Sequence, residues 1–328
     1  MKRLMATLVC LALVACAPAP APNKAPGVHL RFATDWRAQA EHGGFYQALA
    51  TGEYARRGLD VQIIQGGPSA NVPELVASGA IELGMGSNSF IALNLAREGV
   101  PVRAVAATMQ KDPQVLMAHP DQGITSIADM KGRPIMMSDA SVTGFWLWIK
   151  AKYGFSDSQI RANPSATVFL QDKRAIMQGY VTSEPYIIQQ QAGFEPKVFL
   201  LADEGYPGYA AMILAPDSLI KSNPAAIRAF VEATAAGWRS YLNGDPSPGD
   251  ALIRKDNPEK APAELDEARK RMRSYGIVES GDALTQGIGA MSDARWEAFF
   301  KMASAQGLYP ASLDYHKAYT LEFLGGEK

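Results

Sequence analysis

The chain has 328 residues, of which 47% are hydrophobic, and a formal net charge of −1 at pH 7. This length and apolar content can bury a large core and suggest two lobes. A charge near zero, with no basic run and no alternation of aromatic and basic residues, argues against a nucleic-acid binder.

The first 26 residues are typical of an export signal followed by a tether. A cationic start at residues 1–3 precedes an apolar run that is too short to span a membrane, so residues 1–15 are interpreted as a secretory signal peptide. The segment Leu-Val-Ala-Cys at residues 13–16 resembles the lipobox of bacterial lipoproteins, which implies cleavage before Cys16 and acylation of its thiol. A plain signal peptide with an incidental cysteine is the alternative. The Ala/Pro-rich residues 16–26 are predicted to form a semi-rigid tether between the lipidated cysteine and the folded part.

Short apolar runs then alternate with helical patterns. Strands are predicted at residues 29–34, 61–65, 83–86 and 102–108, and helices at residues 44–57, 72–78 and 90–98. After residue 113 the pattern begins again, with strands predicted at residues 115–118, 134–138, 168–170, 181–182 and 198–201. The helical segments of this second part are predicted at residues 127–130, 145–153, 174–178 and 186–192. Repeated βα units predict parallel sheets with helices on their faces.

From residue 218 onward the pattern predicts helices alone, at residues 225–242, 263–275 and 292–306. The predicted class is α/β with two lobes, each a mostly parallel sheet flanked by helices, and a ligand cleft between them. Lobe one is expected to comprise residues 27–113 and 204–328, and lobe two residues 114–203. The connections near residues 111–116 and 203–211 would act as hinges, and Gly205 and Gly208 suit that role because glycine absorbs backbone rotation.

Four junctions, at which a predicted strand leads into a helix, carry polar and aromatic side chains. In an open α/β sheet such junctions converge on a ligand. The candidate binding residues are Asp35, Trp36, His42 and Phe45 at the first junction, Ser87 and Asn88 at the second, Ser138, Ser141 and Thr143 at the third, Tyr180, Glu184 and Tyr186 at the fourth, and Tyr209 where the chain returns to lobe one.

Each candidate also has a structural interpretation. Asp35 could accept a hydrogen bond from an amino group and Trp36 could stack on a flat ring. Alternatively, Trp36 is a core indole, and Asp35 and His42 are capping residues. Glu184, which precedes a proline at the start of a helix, either contacts the ligand or caps that helix.

The charge at the junctions bears on the ligand. The side chains singled out at the junctions include those of Asp35, Asp139 and Glu184 but no arginine or lysine, whereas a sulfonate or nitrate site requires cations or bare helix N-termini. A buried carboxylate needs a hydrogen-bond donor, which an anion does not supply. Carboxylates beside stacking rings therefore favour a flat, amino-bearing heterocycle.

Several segments resemble the substrate-binding proteins of bacterial ABC importers, in the family that groups sulfonate, nitrate and taurine binders with thiamin-pyrimidine proteins (SsuA/THI5-like, NMT1). They are Asp35-Trp36 through His42, GEYARRGLDVQI at 52–63, LVASGAIELGMG at 75–86, SIADMKGRPI at 126–135, GYVTSEPY at 179–186 and SNPAAIRAFVEAT at 222–234. The resemblance implies a type II periplasmic-binding-protein fold and an exported, lipid-anchored protein. It also implies a small-molecule ligand, a membrane permease with its ATPase as partners, and a contact of Glu184 with an amino group of the ligand.

The same resemblance includes the pyrimidine synthase of fungal thiamin biosynthesis, which provides an enzyme hypothesis. The positions that match the synthase's lysine, which holds pyridoxal phosphate, and its substrate histidine are Gly86 and Phe90, and neither residue can perform that chemistry. Residues 206–213, which match the synthase's iron-binding stretch, contain no cysteine. The histidines show no metal-ligand spacing. We therefore expect a binding protein without catalytic residues, cofactor or metal.

A thiamin-related aminopyrimidine is the leading expectation for the ligand, followed by another N-heterocycle or a flavin-like ring. A sulfonate or similar small anion is the alternative ligand class. A lipid-anchored protein without a transport role is the alternative from a different functional class.

Overall fold

The structure is a computed structural model that describes residues 27–67, 70–142, 144–161 and 166–325, without the side chains of Asp139 and Ala140. The predicted signal peptide, the tether with its Cys16, and Thr143 lie outside the described residues. None of the helices in the described ranges is long and apolar enough to cross a bilayer.

The strands are β1 (Val28–Ala33), β2 (Leu59–Ile64), β3 (Leu83–Asn88), β4 (Val102–Met109), β5 (Gln114–Ala118), β6 (Ile135–Met136), β7 (Ile160–Arg161), β8 (Ile176–Tyr180), β9 (Lys197–Leu200) and β10 (Ala210–Pro216). The α-helices are α1 (Gly43–Ala50), α2 (Glu53–Arg56), α3 (Val72–Ala77), α4 (Ser89–Arg97), α5 (Asp139–Val142), α6 (Phe145–Tyr153), α7 (Ala166–Gln171), α8 (Glu184–Ala192), α9 (Asp217–Ser222), α10 (Pro224–Asn243), α11 (Ser247–Asp256), α12 (Pro262–Ser274), α13 (Ala283–Gln286) and α14 (Asp293–Ala305). Short 3₁₀ helices lie at Ala40–His42, Ile127–Met130, Asp157–Gln159 and Tyr315–Ala318.

The strands form two five-stranded sheets. The first has the order β2-β1-β3-β10-β4, in which only β10 runs against its neighbours. The second has the order β7-β6-β8-β5-β9, in which only β5 runs against its neighbours. The predicted α/β class with two mostly parallel sheets is confirmed, and each sheet is mixed because of this one strand.

The chain passes between the two sheets twice. β4 ends at Met109 and β5 begins at Gln114, so residues 110–113 form the first connection. β9 ends at Leu200 and β10 begins at Ala210, so residues 201–209 form the second. Lys111 of the first connection forms an ion pair with Asp203 of the second at 2.6 Å. Here "first lobe" means the elements around the first sheet, and "second lobe" those around the second.

Three predictions between residues 168 and 182 are wrong. Residues 168–170 lie in helix α7, residues 176–178 of the predicted helix lie in β8, and residues 181–182 form a turn. β8 is hydrogen-bonded to β5 on one side and β6 on the other. Pairing on both edges outweighs the weak helical preference of this short segment.

Smaller differences concern the ends of elements. The helix predicted at residues 44–57 is divided into α1 and α2 at Gly52, whose φ of 76° is left-handed and ends the first helix. The strand predicted at residues 134–138 is limited to β6. Sequence analysis also missed β10, which overlaps the predicted hinge at residues 203–211 and instead supplies a central strand of the first sheet.

Two glycines of the first junction allow close helix packing. A Cβ atom on Gly43 would lie 2.0 Å from the ring of Tyr241, and one on Gly44 would lie 2.1 Å from Trp238. Tyr241 and Trp238 belong to α10, so a side chain at either glycine would push α1 away from α10. The glycines therefore set the position of α1 and of the segment that precedes it.

Candidate functional site

A cavity of about 680 Å³ lies between the first and second lobes. On the first lobe it is lined by the segment after β1, the ends of β3 and β4, and the start of α4; on the second, by β5, the segment after β6, β8 and the start of α8. The cavity size is in the range of small-molecule sites. The predicted convergence of strand ends therefore produces a cavity that could hold an organic ligand.

Most of the predicted binding residues line this cavity. They come from all four junctions and are Asp35, Trp36, His42, Ser87, Asn88, Ser138, Ser141, Tyr180 and Glu184. Phe45, Tyr186 and Tyr209 do not line it.

The first junction combines a carboxylate, an imidazole and an accessible indole. His42 is buried, and its Nε2 lies 3.2 Å from Oδ1 of Asp35. Burial opposes ionisation of Asp35, but hydrogen bonds from His42 and Ser87, together with the charge of His42, outweigh burial and lower the pKa of this carboxyl. Trp36 is 45% exposed, so it is not a core residue and its ring is free to stack on a ligand.

The serines and asparagine of the second and third junctions have structural roles as well as positions at the cavity. The side chain of Asn88 accepts a hydrogen bond from the backbone N–H of Phe90 at 3.1 Å and caps α4. The hydroxyls of Ser138 and Ser141 lie 3.0 Å apart, and the N–H of Ser138 donates to the side chain of Gln178. These groups are fixed in place before a ligand arrives.

Glu184 does not cap the helix that it begins, because its side chain is bonded to the preceding strand instead. Its Oε2 accepts a hydrogen bond from the backbone N–H of Tyr180 at 2.6 Å, and the side chain also lines the cavity. Burial raises the pKa of Glu184. The pKa of Tyr180 is raised well above its ordinary value, first by burial and then by the charges of Asp112, Asp35, Glu41 and Glu184, so the acidic groups converge on this tyrosine.

Three predicted binding residues lie elsewhere. Phe45 is fully buried and stacks on Phe32 with ring centroids 4.5 Å apart, because the helix that carries it turns this face to the core. Tyr209 is buried, and its hydroxyl donates to Asp282 at 2.5 Å. Tyr186 lines a separate cavity of about 20 Å³, room for about one water molecule.

The sequence analysis missed several polar cavity residues. They are Gln39, Glu41, Asn94, Asp112, Gln114 and Gln178. Glu41 lies in a 3₁₀ turn and Asp112 in a connection, and neither segment has a periodic pattern that shows which way a side chain points. Asp112 lies between Lys111 and Pro113, a run that we interpreted only as a connector.

Four carboxyl groups thus line the cavity, those of Asp35, Glu41, Asp112 and Glu184, and the described lining contains no lysine or arginine. Within the described ranges, no three His, Cys, Asp or Glu side chains are grouped to hold a metal ion. The site can accept hydrogen bonds from a ligand and stack on a ring, but no lysine or arginine of the described lining faces a bound anion.

Two sheets joined by two connections, with a cavity between them, define the fold of the periplasmic binding proteins. Among solved structures, the aliphatic sulphonate binding protein SsuA from Escherichia coli superimposes with a TM-score of 0.68 over 89% of this chain and 92% of that chain, at 14% identity. At this identity the likeness concerns the fold alone. The family profile described as NMT1/THI5 like matches residues 39–247, and the chain belongs to this family.

Curated relatives share part of the sequence. The riboflavin-binding protein RibY of Chloroflexus aurantiacus is 25% identical over 94% of this chain and 90% of its own length. The formylaminopyrimidine-binding protein of Halalkalibacterium halodurans is 26% identical over 64% of this chain and 63% of its own. A 4-amino-5-hydroxymethyl-2-methylpyrimidine phosphate synthase of Schizosaccharomyces pombe is 27% identical, but over only 32% of this chain and 30% of its own.

Proposed function

We propose that this protein is the exported substrate-binding component of an ABC importer and that it captures a flat nitrogen heterocycle between its two lobes. The observation that carries this proposal is the cavity lining: four carboxyl groups and an accessible indole, with no lysine or arginine. Carboxylates accept hydrogen bonds from ring N–H, amino or hydroxyl groups, and Trp36 supplies a face for the ring.

The size of the cavity favours a ligand larger than one pyrimidine. A single six-membered ring would leave most of the 680 Å³ to water, whereas cavities in this range hold drug-sized ligands. The relative that matches most of this chain is named for riboflavin, which carries both a fused ring and donor groups. A flavin-sized heterocycle is therefore our first candidate, ahead of the single-ring aminopyrimidine that the sequence alone favoured.

A sulfonate or similar anion is the less favoured ligand class, although the superimposed SsuA structure is named for sulphonate. An anion in this cavity would face Asp35, Glu41, Asp112 and Glu184 without a basic side chain among the described lining residues. Like charges brought together in a buried site repel strongly and lose their hydration.

We propose binding rather than catalysis. The position that matches the synthase's cofactor lysine is Gly86, where an added Cβ would lie 3.3 Å from Leu214, so a side chain there is already crowded. Phe90 occupies the position that matches the synthase's substrate histidine. It lines the cavity, and its phenyl group has no nitrogen to donate.

Capture would proceed by closure of the lobes. The hydroxyl of Thr182 in the second lobe donates to the carboxylate of Glu41 in the first. Arg271 in the first lobe forms an ion pair with Glu195 in the second at 2.8 Å. Opening would break these contacts, and rotation at residues 110–113 and 201–209 would expose the cavity.

The lipid anchor is part of the proposal and has its own test. Acylated Cys16 and the Ala/Pro tether would hold the protein at a bacterial membrane near its permease. We expect Cys16→Ser to move the exported protein from the membrane fraction to the soluble fraction. An unchanged distribution would contradict the anchor and leave the ligand proposal standing.

The proposed ligand class can be tested by mass spectrometry of small molecules that co-purify with protein expressed in its native host. We expect an N-heterocycle with donor groups. Stoichiometric recovery of a sulfonate or another small anion would contradict the proposal.

A further inference from the structure

Asp112 joins the cavity to the first connection between the lobes. It is 2% exposed and lines the cavity, and it belongs to residues 110–113. Its Oδ1 accepts a hydrogen bond from the backbone N–H of Gln114 at 3.1 Å. No side chain in the described ranges donates a hydrogen bond to Asp112, so part of its accepting capacity remains available to a ligand.

Arg295 lies close enough to influence Asp112 but donates elsewhere. Its Nε donates to the carbonyl of Pro207 at 2.9 Å, and its Nη2 donates to the carbonyls of Gly208, at 3.0 Å, and Gln110. The guanidinium also lies 4.1 Å from the centroid of the Tyr209 ring. Since it makes no ion pair with Asp112, Arg295 offsets the charge of this carboxyl only from a distance.

We propose that Asp112 is a specificity-determining contact whose carboxylate accepts a hydrogen bond from an N–H or O–H group of the ligand. A buried carboxylate with spare accepting capacity is costly, and a ligand donor reduces that cost. Because Asp112 belongs to a connection, this hydrogen bond also attaches the ligand to the segment about which the lobes rotate. The inference rests on the proposed heterocycle-binding function and adds the requirement for a donor directed at Asp112.

The charge state of Asp112 changes near neutral pH, so its contact with a ligand can be measured as a pH dependence of affinity. Burial raises the pKa of this carboxyl to about 7, and the N–H of Gln114 and the charge of Arg295 only partly oppose that rise. Tyr180 and Tyr206 also interact with Asp112, and their raised pKa values keep them neutral near pH 7. A ligand donor favours ionised Asp112, so affinity should rise as the pH rises through 7.

The test measures dissociation constants for two probes between about pH 6 and about pH 8. Binding of riboflavin is followed by the quenching of its fluorescence, and binding of 4-amino-5-hydroxymethyl-2-methylpyrimidine is followed by calorimetry. The ionised fraction of a group with a pKa of 7 rises about tenfold over this range, so we expect the wild-type protein to bind its probe about tenfold more tightly at the upper pH. This measurement uses the wild-type protein and so does not depend on whether any variant folds.

Two variants assign the profile to Asp112. Asp112→Asn keeps an oxygen that can accept from Gln114, and we expect it to bind at least tenfold more weakly at about pH 8 and to lose the pH dependence. Asp121→Asn is the matched control, because the side chain of Asp121 is 55% exposed, lies outside both connections and does not line the cavity. It should bind as the wild type does at each pH.

The possible failures are distinguishable. A wild-type protein that binds neither probe contradicts the proposed function and this inference with it. A wild-type protein that binds a probe, together with Asp112→Asn that binds equally well with the same pH profile, contradicts this inference alone. Wild-type affinity that falls as the pH rises also contradicts it, because the ligand would then prefer protonated Asp112.

Discussion

The hydroxyl of Thr182 in the second lobe donates a hydrogen bond to the carboxylate of Glu41 in the first lobe, and both side chains are buried. Glu41 also lines the main cavity. The same carboxylate can therefore contact a ligand and hold the lobes together. We therefore expect closure of the lobes to depend on a residue of the proposed binding site.

Thr182→Val should favour the open form, because it removes the hydroxyl and leaves a carboxylate of Glu41 without this donor. A hydrogen bond to a charged group contributes about 1.5–3 kcal/mol, so we expect affinity to fall by about tenfold or more. Small-angle scattering of the ligand-free variant should show a larger radius of gyration. Thr182→Ser retains the hydroxyl and should behave as the wild type; equal dimensions and affinity for all three proteins would show that the contact does not affect closure.

Glu184→Gln tests whether this carboxylate binds the ligand or only accepts the backbone hydrogen bond from Tyr180. Glutamine keeps an oxygen that can accept from the N–H of Tyr180, so the local structure should be preserved. Loss of the charge should weaken a donor-bearing ligand by about 1–3 kcal/mol in calorimetry. Glu98→Gln removes an exposed acid outside the cavity and serves as the control. Affinity equal to that of the control would leave Glu184 only its structural hydrogen bond with Tyr180.

Asp112→Asn should also change the pH dependence of stability. Burial raises the pKa of Asp112 to about 7 from an ordinary value near 4, so between these pH values the folded protein holds a proton that the unfolded chain releases. Stability therefore falls as the pH rises through this window, and asparagine avoids that loss. Thermal scans of ligand-free protein should show a higher melting temperature for the variant at about pH 8 and little difference at about pH 4. An equal shift at both pH values would contradict the burial of an ionisable Asp112.

Arg295→Lys should loosen the connections between the lobes. The planar guanidinium contacts carbonyls of Gln110, Pro207 and Gly208, and a lysine ammonium cannot reproduce that fork. We expect the free energy of unfolding to fall by about 1.5–3 kcal/mol and limited proteolysis within residues 201–209 to become faster. Arg228→Lys, on the exposed face of a helix, is the control; equal effects of the two substitutions would refute a special role for Arg295.

The sequence predicted the fold class because the strand and helix patterns that define this class lie within short segments of the chain. Strand and helix patterns over residues 27–113 predicted strands of the first sheet, and a second series of strand patterns after residue 113 predicted strands of the second. The predictions that were wrong, at residues 168–182, concern short segments whose state is decided by pairing with β5 and β6. Such pairing joins residues far apart in the chain and leaves no periodic signal within the segment.

The sequence predicted those cavity residues that lie at the ends of strands. Asp35, Ser87 and Glu184 follow from that rule, whereas Glu41 and Asp112 do not, because a short turn and a connection carry them. An aromatic residue at a junction did not by itself show whether its ring lines the cavity or packs in the core. Phe45 packs in the core beside a binding junction, and only the close approach of α1 to α10 determines that orientation.

In our proposal, four carboxyl groups and Trp36 select a heterocycle with hydrogen-bond donors over an anion. The most direct measurement is calorimetric titration of the protein with riboflavin, 4-amino-5-hydroxymethyl-2-methylpyrimidine and an alkanesulfonate under the same conditions. We predict saturable binding of a heterocycle, with riboflavin favoured by the size of the cavity, and no binding of the alkanesulfonate. Saturable binding of the alkanesulfonate without binding of either heterocycle would contradict the account.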